Sequence, residues 1–196
     1  MVKYPKIIRV MINVSIDLDN TLFDMEPLYK MAFRETGFPY TPATKWDLYK
    51  VYPTRVADRL VELFKSEHLY KNPLLDEKIP VVVNRVYNSK MFKVHYVTER
   101  FVKNPEKTFN QLKSAGLPCA REDVFDMPAP KVEVLKSIDS HVHFDDSPNI
   151  ISDCIKHGVR CVMISNDKTL YNHELRGHVI WFPNIMTALN QMCPVK

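Results

Sequence analysis

Four short groups of residues in this 196-residue chain have the types and spacing to do chemistry together. Asp17-Leu18-Asp19-Asn20-Thr21 sets two carboxylates two residues apart. Thr98-Glu99-Arg100 offers a hydroxyl beside an acid and a guanidinium. Lys131 supplies an ammonium, and Asp145-Asp146 a second pair of acids. Carboxylates such as Asp17 and Asp145, brought close, repel unless a cation lies between them, and hard oxygen donors of this kind suit Mg²⁺. A hydroxyl at Thr98, an ammonium at Lys131 and a metal are the parts needed to hold a phosphate. Asp17 could then attack phosphorus and carry the phosphoryl group as an aspartyl-phosphate. Asp19 could protonate the departing oxygen and then activate the water that hydrolyses the intermediate.

These groups meet only if the chain places them on one edge of a sheet. The sequence predicts that it does. Ile7, Ile8, Val10, Met11, Ile12, Val14 and Ile16 form a near-continuous apolar run, as in a strand buried on both faces, and it ends at Asp17. Phe92–Val97 reads as a second strand ending at Thr98, and Val142–Phe144 as a short one running into Asp145. Val159–Ile164 and Val179–Phe182 are further strands. Between them Pro105–Ala115, Lys131–Ile138, a segment capped by Ser147 with Pro148 at its first turn, and Ile185–Met192 read as helices. Strands alternating with helices predict an α/β fold with a parallel sheet, whose ligands bind outside the carboxyl ends of the strands. Residues 24–90 differ in character. Prolines at 39, 42, 53, 73 and 80 separate helical patterns such as Val56, Leu60, Leu63 and Phe64. Ile79, Val82, Val83 and Val86 recur at helical spacing with Pro80 acceptable in a first turn, although Pro80 and the valine triplet leave a strand open. The reading is a mostly helical insertion, with residues 1–23 and 91–196 forming the α/β core.

Composition sets the outer bounds. A hydrophobic content of 45% and 26% charged residues are ordinary for a globular domain and exclude collagen, coiled coil and disorder. The net charge of +4 suits an anionic substrate, but no basic run points to nucleic acid, which is not expected as a partner. Cys119, Cys154, Cys161 and Cys193 form no CxxC pair and are read as free thiols of a reducing compartment. Arg9 and Asn13 interrupt the N-terminal apolar run, and no stretch reaches the length of a membrane span. A soluble cytoplasmic protein, monomer or homodimer, is expected.

Taken in order, the four groups resemble the haloacid dehalogenase (HAD) superfamily. Asp17-Leu18-Asp19-Asn20-Thr21-Leu22 looks like its motif I, Thr98 its motif II hydroxyl, Lys131 its motif III lysine and Asp145-Asp146 its motif IV acids. The resemblance implies a Rossmann-like core with a small helical C1-type cap after the first strand. It implies Asp17 as nucleophile and Mg²⁺ ligand, and Asp19 as general acid/base with its backbone carbonyl a further ligand. Thr98 and Lys131 would bind the transferring phosphoryl group. Asp145 would hold Mg²⁺ directly, and Asp146 through water or as an orienter. The second acid of motif I marks phosphatases and mutases rather than dehalogenases. Thr44-Lys45-Trp46-Asp47-Leu48 and Val97-Thr98-Glu99-Arg100 are similar to stretches of the 5'(3')-deoxyribonucleotidase family, which commonly has Gly where this chain has Asn20. The implied activity is hydrolysis of nucleoside monophosphates. The alternatives are a phosphatase for a sugar phosphate, a phosphoprotein or a nucleic-acid end, or a non-catalytic binding module.

Several residues carry two readings. Arg100 either binds substrate phosphate or pairs with a surface acid. Trp46 is a packing residue by default and a stacking platform as the sharper alternative, as are Phe23, Phe38 and Tyr40. Lys136 rivals Lys131. His141 and His143 share a strand face but are read as structural rather than as metal ligands, and Tyr171-Asn172-His173-Glu174 has no assignment.

Overall fold

The computed structural model describes residues 11–126, 130–167 and 169–195. Ile7, Ile8 and Val10 of the predicted first strand lie outside them. The architecture is a six-stranded, all-parallel sheet flanked by helices, the α/β Rossmann-like fold expected. In chain order the elements are β1 (Ile12–Ile16), α1 (Glu26–Thr36), α2 (Thr54–Phe64), α3 (Ile79–Tyr87), β2 (Phe92–Thr98), α4 (Pro105–Ser114), β3 (Val124–Asp126), α5 (Lys131–Ser137), β4 (Val142–Asp145), α6 (Pro148–Lys156), β5 (Cys161–Ile164), β6 (Trp181–Phe182) and α7 (Ile185–Met192). Strand order is β3-β2-β1-β4-β5-β6. The order therefore reverses between β1 and β4, leaving a crevice at the strand ends.

The local reasons are visible in the sequence. Val14 and Ile16 of β1 are fully buried, and β1 lies between β2 and β4 with Ile16 opposite Tyr96 on one side and Phe144 on the other. Three helices begin as their caps dictate, with side chains accepting a backbone N–H that the helix leaves free. Asn104 accepts from Lys107, Ser147 from Ile150 and Asn184 from Thr187. Gly37 ends α1 at φ +78°, a left-handed conformation that glycine adopts without steric cost. β3 was not foreseen. It is three residues long, too short to show any periodicity.

Residues 24–90 form the helices expected of them, including α3, where Pro80 sits in the first turn. Packing divides this stretch in two. Ile79, Val83 and Val86 of α3 bury against the sheet and α7, in the same core as Val14, Ile16 and Phe144. Each such fully buried aliphatic side chain contributes about 2 kcal/mol before the entropy of ordering it is counted. Met25, Leu28 and Phe33 instead pack with Val56, Leu60, Leu63 and Leu69 in a separate cluster. That smaller body leaves and rejoins the core at one place. The Asp24 N–H donates to Pro73 O, and the Leu75 N–H to Leu22 O, both at 2.8 Å. No helix among the described residues is long and apolar enough to cross a membrane.

Candidate active site

Because all strands run parallel, their C-terminal ends share one edge, and the polar groups following β1, β2 and β4 converge there. Asp17 is the first residue past β1. Its N–H donates to Phe144 O at 2.9 Å, which continues the ladder by one rung and fixes it beside β4. Thr98 ends β2 and Asp145 ends β4. Lys131 opens α5, where its otherwise free backbone N–H donates to Glu99 Oε1 at 2.5 Å. From there its Nζ donates to Asp17 Oδ1 and to Asp145 Oδ2, each at 2.7 Å. Asp17, Thr98, Lys131, Asp145 and Asp146 are all buried. Carboxylate oxygens of Asp17, Asp145 and Asp146 lie within 4.8 Å of one another.

A layer of supporting residues holds these acids. His143 Nε2 lies 2.9 Å from Asp145 Oδ2, and since a carboxylate only accepts, this nitrogen carries the proton. His143 Nδ1 is 2.9 Å from Ser15 Oγ, itself 2.7 Å from Ser140 Oγ. The Ser147 N–H donates to Asp145 Oδ1 at 2.8 Å. Asp146 accepts from the Tyr171 hydroxyl, and its backbone carbonyl from Asn172 Nδ2 at 2.7 Å. Asn172 also donates to Ile164 O and accepts from Ser165 Oγ, tying the loop that carries Tyr171 to β5.

The electrostatics point to a missing positive charge. Burial, opposed by Lys131 but reinforced by Asp145 and Asp19, pushes Asp17 up to about 7. Burial, with Asp17 and Asp145 adding to it, also holds Asp146 well above the ordinary carboxylate range. Asp145 goes the other way, to about 2, because Lys131 and His143 outweigh its burial. Burial keeps His143 below its usual value, so it adds no cation. Three clustered carboxylates thus face one ammonium, and the excess is what a dication would neutralise. Hard oxygen donors in this number fit Mg²⁺.

Asp19 stands apart from that cluster. Its two carboxylate oxygens accept from Arg100, Oδ2 from Nε at 3.0 Å and Oδ1 from Nη2 at 2.7 Å. Of the two readings of Arg100, the structure shows an acid pair, but with a residue of the site rather than of the surface. Asn20 lies at φ +60°, and its N–H donates to Phe23 O. This is the left-handed region, where Asn is among the few residues tolerated without glycine, so Asn20 serves the turn that Gly would. Lys136 points elsewhere, toward Glu133, and leaves Lys131 without a rival.

Above the acids opens a cavity of about 670 Å³, within the range of small-molecule sites. Asp17, Asp19, Thr98, Arg100, Lys131, Asp145 and Asp146 all line it. Its walls are aromatic. Trp46 is half-exposed and meets Tyr171 edge-on, with ring centroids 5.2 Å apart. Phe64 and Phe101 stack nearly parallel at 6.2 Å. Phe23 packs in the core with the sheet and Tyr40 in the separate helical cluster, and Phe38 does not line the cavity. His141 is exposed and accepts the Asn13 N–H, whereas His143 is buried between Ser15 and Asp145. The four cysteines are free thiols. Glu99 was placed at the site by its group but given no role, and Ser15, His143, Tyr171 and Asn172 had no sequence assignment to it. For these four, the alternation of His143 with Asp145 on one strand face was the signal available.

The structure is similar to those of HAD-like hydrolases. A haloacid dehalogenase-like hydrolase from Streptococcus pneumoniae aligns with a TM-score of 0.58 at 12% identity, over 87% of this chain and 92% of that one. Bacillus subtilis YfnB, described as a HAD-hydrolase and bound to magnesium, gives 0.59 at 15%, over 94% and 99%. CbbY from Rhodobacter sphaeroides, in complex with xylulose-1,5-bisphosphate, gives 0.52 at 18%, over 89% and 95%. At these identities the likeness establishes the fold. No family model matches the sequence, and no curated protein matches it.

Proposed function

We propose that this chain is a Mg²⁺-dependent phosphate monoester hydrolase that works through an aspartyl-phosphate, with nucleoside monophosphates as its substrate class. The observation that carries the reading is Lys131 set between Asp17 and Asp145 beneath an aromatic-walled cavity, at the reversal point of a HAD-like sheet. Asp17 is the nucleophile, fixed by its backbone rung to β4. Its carboxylate, with those of Asp145 and Asp146 and the backbone carbonyl of Asp19, would hold the metal. When bound, Mg²⁺ neutralises charge on the phosphoryl oxygens and on the acids around it. Thr98 and Lys131 donate hydrogen bonds to the phosphoryl group and steady it for in-line attack. Asp19 gives its proton to the departing ester oxygen. It then takes one from the water that attacks phosphorus and frees Asp17.

The separately packed helices at residues 24–75 act as the cap, and Trp46 and Phe101 supply faces on which a base stacks. A cytoplasmic location belongs with this reading. A sugar phosphate is the second reading, favoured by the fold shared with a protein seen holding a sugar bisphosphate.

The test is phosphate release with Mg²⁺ from 3'- and 5'-nucleotides, sugar phosphates and p-nitrophenyl phosphate, with Asp17→Asn alongside. Nucleotide turnover that requires Mg²⁺ and disappears in the variant is the expected result. Preference for sugar phosphates would move the substrate class to the second reading. Turnover that survives Asp17→Asn, or no turnover of any ester by folded protein, would overturn the mechanism.

A further inference from the structure

We infer that Arg100 is a positioning residue that fixes the carboxylate of Asp19 for proton transfer, and is not a grip on the substrate's phosphate. The inference rests on the hydrolase reading above. The Arg100 side chain is 1% exposed. It engages both oxygens of Asp19 through Nε and Nη2, a fork that fixes the plane and direction of the carboxylate. Its remaining terminal nitrogen, Nη1, is occupied from behind. It donates to Gln111 Oε1 at 2.9 Å and to Thr108 Oγ1 at 3.3 Å, both on α4. Thr108 in turn donates to Asp126 Oδ2 at 2.8 Å, at the end of β3. Tyr70 lies across the guanidinium face, 5.2 Å from ring centroid to Cζ. The fork is therefore anchored to a helix, a strand and an aromatic ring, while Asp19 keeps 22% of its side chain open toward the cavity.

This geometry suits an indirect role. Four of the five N–H groups of the guanidinium already donate within the protein, so one N–H on Nη2 remains, and a two-pronged grip on a phosphate would mean giving up a bond to Asp19 or α4. An aspartate pinned at both oxygens cannot swing away from the ester oxygen it must reach, and loss of about 1 Å in such placement costs on the order of 100-fold in rate. Asp17 Oδ forms a bond to phosphorus, the bond from phosphorus to the ester oxygen breaks, and the Asp19 proton moves to that oxygen.

The leaving group provides the discriminating measurement. p-Nitrophenolate departs without a proton, whereas the alkoxide of a nucleoside 5'-monophosphate needs one. kcat/KM covers only the steps through departure of the leaving group. Arg100→Lys keeps the charge and removes the fork. We expect its kcat/KM on a nucleoside monophosphate to fall about 100-fold, while that on p-nitrophenyl phosphate changes less than about threefold. Gln111→Leu, which removes one anchor at the rear, should show the same asymmetry at smaller size. It also decides the matter if Arg100→Lys does not fold. Equal losses on both esters in the folded variants would overturn the inference and leave the hydrolase reading standing. A wild-type protein inactive on both esters would overturn that reading, and this inference with it.

Discussion

The floor and the walls of the cavity are built on opposite terms. The floor is made of charge that the sheet has buried, with Asp17, Lys131 and Asp145 joined at 2.7 Å and braced by His143, Ser15 and Ser147. The walls are aromatic rings at the surface, such as Trp46, Tyr49 and Phe101, each exposed by two-fifths or more. A buried charge is costly unless its partners are in place, so the floor has one workable arrangement. A half-exposed ring loses little whichever way it turns. Chemistry and stability are thus coupled in the floor, whereas binding selectivity and stability are separable in the walls.

The contrast can be tested most severely at Lys131. Lys131→Met removes the ammonium shared by Asp17 and Asp145 and leaves two buried carboxylates without their counter-charge. A loss of about 3–5 kcal/mol in urea unfolding is expected, together with loss of turnover. A variant as stable as the parent would mean that the floor's charges are not coupled to folding. Next comes the metal. Adding Mg²⁺ at about 100 times its Kd should stabilise the protein by about 2.7 kcal/mol, which for a chain of this size raises Tm by about 5–10 °C. Asp145→Asn should abolish most of that rise. An equal rise in the variant would place the cation elsewhere. The smallest effect belongs to the walls. Trp46→Ala should raise KM for nucleotides about tenfold, leave KM for p-nitrophenyl phosphate within about twofold, and change stability by under about 0.5 kcal/mol. A fall in kcat on both esters would erase the distinction between floor and wall.

How much of this was legible in the sequence depended on distance along the chain. β1, β2, β4 and β5 showed as apolar runs because strands buried on both faces need no alternation, and each of the first three runs into the polar group it delivers. α3 was ambiguous because, although Ile79, Val82, Val83 and Val86 recur at helical spacing, Pro80 and the valine triplet fit a strand as well. The acids were legible through residue type and position at strand ends. Their supports were not. Ser15 reaches Ser140 across 125 residues, Asn20 meets Tyr171 across 151, and Arg100 finds Asp19 across 81. Nothing local in Thr98-Glu99-Arg100 distinguishes an arginine that faces a substrate from one that steadies a carboxylate.

The two hydrogen bonds that tie Asp24 to Pro73 and Leu22 to Leu75 have a consequence for how the protein can change. About fifty residues depart and return through that single doorway, and no strand of the sheet depends on them for its ladder. Closing a loop becomes only about 0.6 kcal/mol harder when its length doubles. A longer, shorter or wholly different helical segment between Asp24 and Pro73 would therefore burden the sheet very little. Apart from Tyr70, which lies against Arg100, the same doorway that admits the chain to its upper body leaves that body free to diverge, while Asp17, Asp145 and Asp146 stay where the strands put them.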